Sequence, residues 1–168
     1  MLFDRNKLMI KPLTERVHDL DLRSVMPLER KSGYCSGELA DAAARIIEAK
    51  AKKRNVVMMI GGHVIRSGVQ KYIIDLMERG YITCLATNGA GVIHDYELAL
   101  IGATTESVAR YIREGQFGLW KETGGINDIV NDAHKNGVAG MGEAIGKAIF
   151  EGNFPNKEIS LFAACYRL

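Results

Sequence analysis

Apolar positions cluster in two dense runs, and a glycine turn closes each one. The first is Asn55-Val-Val-Met-Met-Ile60, followed by Gly61-Gly62-His63. The second is Tyr81-Ile-Thr-Cys-Leu-Ala86, followed by Thr87-Asn88-Gly89-Ala90-Gly91. Neither run alternates, which predicts strands covered on both faces. Between them, residues 64–79 place apolar side chains at helical spacing and stop at Gly80. Strand, helix and strand form a βαβ unit of about 30 residues. Such a crossover is right-handed and makes its strands parallel, so both glycine turns reach the same sheet edge. In open α/β sheets, ligands bind at that carboxyl-end edge.

The same patterning predicts the remaining elements. Ser36 caps a helix with an apolar stripe at Leu39, Ala42, Ala43, Ile46, Ile47 and Ala51, closed by a basic run at residues 50–54. Asp95 opens a short helix, Tyr96 to Leu100, and Thr104-Thr105-Glu106 looks like the start of the next. The glycine-punctuated stretch 113–125 holds Phe117, Leu119 and Trp120 and predicts a packed loop. Helices follow at 126–135 and 138–150; glycines 140, 142 and 146 in the second suggest close backbone approach to a neighbour. Ile159 to Tyr166 predicts a third buried strand, ending two residues before Leu168. Three strands are few for this many helices. The expectation is a fragment of a longer α/β protein, or an oligomer that completes the sheet. Residues 1–34 are charged and broken by Pro12 and Pro27, with Leu8 to Ile10 as a short strand or packed arm. They predict an N-terminal arm packed on the 35–168 domain or on a neighbouring subunit.

Composition narrows the class. With 168 residues, 47% hydrophobic and 25% charged, one globular domain with a sizeable core is expected. A net charge of +2 leaves no nucleic-acid footprint. Cys35, Cys84 and Cys165 are odd in number and far apart, which fits a reducing compartment rather than a disulfide framework. Cys84 and Cys165 sit in apolar runs and predict small core residues. No apolar run reaches the roughly 18 residues a membrane span needs. A cytoplasmic location is expected.

Candidate chemistry gathers at the two turns. Gly89-Ala90-Gly91-Val92-Ile93-His94 approaches G-x-G-x-x-G, with a predicted strand before it and a predicted helix after it. Such a motif is either a tight strand-to-helix turn or a phosphate cradle on a helix N-terminus. Gly61-Gly62-His63 repeats the arrangement one strand over, with Arg66 and Ser67 able to pair with or donate to phosphate. No Gly-Lys-Ser/Thr follows, so it is not a P-loop. His63 and His94 are either structural histidines or acid/base groups, with Asp95 orienting His94 or capping its own helix. Metal binding would need a third ligand, and the spacing fits no known signature.

The central segment resembles the deoxyhypusine synthase family. Gly62-His63-Val64-Ile65-Arg66-Ser67-Gly68 and Thr87-Asn88-Gly89-Ala90-Gly91-Val92-Ile93-His94-Asp95 stand where that family has a Ser-Asn-Leu-Ile-Ser-Ser-Gly-like segment and Thr-Thr-Ala-Gly-Gly-Val-Glu-Glu-Asp. The resemblance implies a Rossmann-like three-layer α/β domain with a mostly parallel sheet. It also implies NAD held by Gly61, Gly62, His63, Arg66, Ser67, Thr87, Asn88, Gly89, Ala90 and Gly91. His94 and Asp95 would be the catalytic groups, with active sites between subunits of a dimer or tetramer. An NAD-dependent transferase or oxidoreductase follows. The family's two acids before the aspartate are Ile93 and His94 here, and its lysine nucleophile has no counterpart, so deoxyhypusine synthesis itself is not carried over. Two other readings stand beside this one: a non-catalytic assembly or regulatory module with the same fold, and a nucleotide- or phosphate-binding hydrolase.

Overall fold

A computed structural model describes residues 7–29, 33, 36–138 and 140–168. The chain is α/β. Its strands are β1 (His18–Asp21), β2 (Val57–Ile60), β3 (Cys84–Thr87) and β4 (Ala103–Glu106). The helices are α1 (Gly37–Ala51), α2 (Gly62–Arg66), α3 (Gln70–Glu78), α4 (Gly89–Ile101), α5 (Val108–Arg113), α6 (Lys121–Lys135), α7 (Met141–Glu151) and α8 (Leu161–Arg167). Cys35 lies outside the described residues.

The βαβ unit forms as its pattern predicts. β2 and β3 pair in parallel, with Ile60 opposite Thr87, so both glycine turns leave the same edge. Met58, Ile60 and Leu85 pack on a core of Ile65, Ile73, Ile74, Met77, Leu98 and Leu161. The other face departs from expectation: Val57 is 58% and Met59 81% exposed. Covering on both faces is not supplied by the described residues. Among the described residues the parallel sheet has two strands, and they do not make up the three-layer arrangement expected.

Five expectations are corrected. The single helix over 64–79 is two, α2 and α3, broken at Gly68 with φ +81°. A Cβ there would lie 1.9 Å from the Ser24 carbonyl oxygen, and Gly68 in turn accepts from Met26 N–H at 2.8 Å. Thr104-Thr105-Glu106 is strand β4, paired antiparallel with β1, rather than a helix start. Residues 159–166 are a short 3-10 turn and helix α8, not a third strand. Helix α6 also begins at Lys121, inside the stretch expected as loop. Cys84 and Cys165 are exposed rather than core.

Residues 7–29, expected as an arm, are stitched into the body. Lys11 bridges to Trp120, Leu13 is buried, and β1 supplies the partner of β4. Ser36 caps α1 as expected, accepting from Leu39 N–H. The α1 stripe, however, is bare: no residue of the helix is buried. Of glycines 140, 142 and 146, Gly146 has the predicted close approach, since a Cβ would meet the Phe162 carbonyl of α8 at 2.5 Å.

Helix α4 lies between two cores. Leu98 joins the first, while Val92, Tyr96 and Ala99 pack with Ile126, Ile145, Ile149 and Ala163 in the second. It also carries Asp95, 1% exposed. Asp95 caps a neighbouring helix rather than its own. Its oxygens accept from Leu161 N–H at 2.8 Å, Phe162 N–H at 3.3 Å and the Ser160 hydroxyl at 2.5 Å, the free donors at the start of α8. Ser160 in turn accepts from Ala163 N–H. With these donors satisfied, an apolar segment that would serve as a strand becomes helical.

Two predictions follow from this packing. Gly68→Ala should lose about 2 kcal/mol or more, from positive φ plus the Ser24 clash. Gly80→Ala, with φ +68° but no atom within 4 Å of a Cβ, should lose less. Urea unfolding of both variants checks the order. Burial also pushes the Asp95 carboxyl up to about 6, against the three hydrogen bonds that lower it. Between about pH 4 and about pH 6 the unfolded chain has released this proton and the folded chain retains it. Asp95 therefore makes stability fall as pH rises, by roughly 1.4 kcal/mol per unit. Wild type minus Asp95→Asn, compared by urea unfolding across that window, should show this slope. A flat difference would refute it.

Candidate functional site

A concavity of about 670 Å³ opens at the carboxyl end of β3. Thr87, Asn88, Gly89 and Val92 form one wall; Met141, Gly142 and Glu143 of α7 form another; Phe162, Cys165 and Tyr166 of α8 close it. Asn88 caps α4, its side-chain oxygen accepting from Gly91 N–H at 3.2 Å. The Gly89 and Ala90 amides, at the start of a 13-residue helix, have no intrahelical acceptor. A Cβ on Gly89 would meet nothing within 4 Å, so a ligand can approach the backbone there.

The residues expected to hold a cofactor divide into two groups. Thr87, Asn88 and Gly89 line the cavity; Gly61, Gly62, His63, Arg66, Ser67, Ala90 and Gly91 do not. Two of these glycines answer to packing. A Cβ on Gly62 would meet His94 Cδ2 at 3.0 Å and Ala90 at 3.1 Å, so Gly62 lets α2 approach α4. A Cβ on Gly91 would meet Thr87 Oγ1 at 2.2 Å. Gly61 lies beside the Asn88 amide, at 3.8 Å from its projected Cβ. The Ser67 hydroxyl donates to the Val64 carbonyl within its own turn.

His94 faces the α2 side of α4, away from the cavity lining. Its Nδ1 lies 2.9 Å from Thr104 Oγ1, and Thr104 donates to Glu97 Oε2 at 2.7 Å. Glu97 takes a two-pronged ion pair from Arg16, Nη1 to Oε1 at 2.9 Å and Nη2 to Oε2 at 2.6 Å, both side chains nearly inaccessible. The Thr123 hydroxyl also donates to Glu97, at 2.6 Å. His63 Nε2 and Arg66 Nη1 are 3.4 Å apart, and the buried Arg66 Nε makes no hydrogen bond among the described residues. Burial holds His94 below the usual histidine range, Arg66, His63 and Arg16 adding to the effect and Glu97 opposing it. Asp95, expected to orient His94, has both oxygens committed to α8.

Sequence reasoning missed the α7 and α8 walls because residues 159–166 read as a strand. It missed Arg16 because the N-terminal segment lacks periodicity. Glu97 carried a usable signal: it is flanked by Tyr96, Leu98, Ala99 and Leu100, and a charged residue in so apolar a stretch needs a partner. Among the described residues, no three His, Cys, Asp or Glu side chains gather as a metal site requires. No helix among them is long and apolar enough to cross a membrane.

Comparison with curated proteins and with solved structures gives no match. A family model does match, that of deoxyhypusine synthase, over residues 25–114. That span takes in β2, both glycine turns, α4 and β4, and stops before the α7 and α8 walls of the cavity. Since it covers more than half of the 168 residues, and carries the parallel pair with both of its turns, the chain belongs to the deoxyhypusine synthase family.

Proposed function

We propose that the protein binds NAD or a related nucleotide in the cavity at the carboxyl end of β3. The supporting observation is where this cavity lies: against the N-terminus of α4, whose turn belongs to the family-matched segment, at the edge where parallel sheets take ligands. The wall chemistry suits such a molecule. The free Gly89 amide suits phosphate. The Glu143 carboxylate suits ribose hydroxyls, and the Phe162 and Tyr166 rings suit a flat base. NAD, when bound, supplies hydride acceptance. This chain's own residues bind and orient it for an NAD-dependent transferase or oxidoreductase, with Glu143 and Cys165 among the polar groups on the wall and His94 on the other side of α4. On this reading β2 and β3 are the core of a Rossmann-like unit, and the exposed apolar residues Leu39, Ile47, Val57 and Met59 are covered in a homo-oligomer.

Roughly millimolar NAD should raise the thermal midpoint by several degrees, as ligand binding only to the folded state requires. Gly89→Leu fills the cavity mouth without strain and should weaken NAD binding at least about tenfold by calorimetry, with the fold retained. Absence of any response to NAD, NADP or adenine nucleotides would overturn the assignment. Light scattering should give a mass that is a multiple of the chain's 18.5 kDa. A monomer at micromolar concentration would contradict the oligomer.

A further inference from the structure

The hydrogen bonds on the α2 side of α4 determine which histidine nitrogen carries the proton. The Glu97 carboxylate, engaged by the Arg16 guanidinium, has only acceptors to offer. Thr104 therefore directs its single hydroxyl hydrogen to Glu97 Oε2. Toward His94 the same oxygen can only accept, so Nδ1 bears the N–H. A neutral imidazole has one such hydrogen, and Nε2 is left as a lone pair. No described residue donates to Nε2. The adjacent Cδ2 edge lies against Gly62, whose lack of a side chain lets α2 pack beside the ring.

The backbone beside this relay is strained. Thr105 has φ +66° inside strand β4, an outlier for a β-branched residue. Its own hydroxyl is buried without a partner among the described residues. A conformation of order 1–3 kcal/mol above the ordinary one persists only where its surroundings enforce it. Here it accompanies a Thr104 that is 0% exposed and fixed between Glu97 and His94.

We propose that Glu97 and Thr104 are positioning residues that fix His94 as the Nδ1–H tautomer, leaving its Nε2 lone pair as a proton acceptor for a ligand O–H or N–H. His94 does not line the β3 cavity, and the assignment does not depend on NAD binding. In the transfer, the ligand's O–H or N–H bond breaks and a bond from Nε2 to hydrogen forms. The electron pair stays on the ligand, Nδ1–H stays on Thr104, and Glu97 offsets the imidazolium charge through the threonine hydroxyl. Arg66 and His63 are the other polar groups near the ring.

Nitrogen-15 correlation spectra of the intact, histidine-labelled protein at roughly neutral pH report the tautomer directly. The His94 signals, assigned by their loss in His94→Gln, should show a protonated Nδ1 and an unprotonated Nε2. Thr104→Val should abolish this preference, and Thr104→Ser should restore it. An Nε2–H tautomer or a charged ring in wild type would overturn the proposal. So would an unchanged tautomer in a folded Thr104→Val. Should Thr104→Val not fold, the wild-type spectrum decides alone. Failure to bind NAD would leave these spectra unaffected.

Discussion

Two acids two residues apart on α4, Asp95 and Glu97, are each 1% exposed, and a buried carboxylate must find donors or forfeit several kcal/mol. Each draws in a distant part of the chain. Asp95 takes the amides at the start of α8, 66 and 67 positions away for Leu161 and Phe162. Glu97 takes the guanidinium of Arg16, 81 positions away in the other direction. The parallel pair β2–β3 contributes one covered face, and α1 buries nothing. The two charge sites on α4 therefore tie the terminal thirds of the chain to its centre.

That dependence explains what could be read from residues alone. The βαβ unit, the α1 cap and the Gly146 approach are local or near-local patterns, and they were legible. The failures share a cause: each involves a partner remote in sequence. Residues 159–166 lack charge and look like a strand until Asp95 supplies their helix cap. Thr104 and Thr105 pair as a strand only because β1 lies beside them, in a segment with no period of its own. The helix predicted over 64–79 breaks at a glycine whose neighbour is Ser24. Of the site, Thr87, Asn88 and Gly89 were legible as a strand-to-helix turn. The α7 and α8 walls were not, because their contribution depends on α8 being a helix.

The arrangement also separates roles that one motif would assign together. Residues 88, 89 and 92 face the β3 cavity, while 90, 94 and 97 face α2 or the interior network; helical spacing divides them so. The glycines follow this division. Gly89 leaves backbone open to a ligand, Gly91 accommodates Thr87, and Gly62 accommodates the His94 edge. A glycine-rich signature here is thus partly ligand geometry and partly the packing of two helices against one strand. Mutating every glycine in it would confound the two.

The same geometry accounts for what stands at positions 93 and 94, where the family resemblance has acids. Ile93 is 39% exposed and turns outward. Position 94 lies one helical turn from Glu97 and against Thr104, whose hydrogen Glu97 already holds. An acid there would face a like charge at i, i+3 and an oxygen with no proton to donate, both unfavourable. Histidine meets the same oxygen with an N–H. The exchange of acid for histidine is therefore coupled to Glu97, Thr104 and Arg16 as a set.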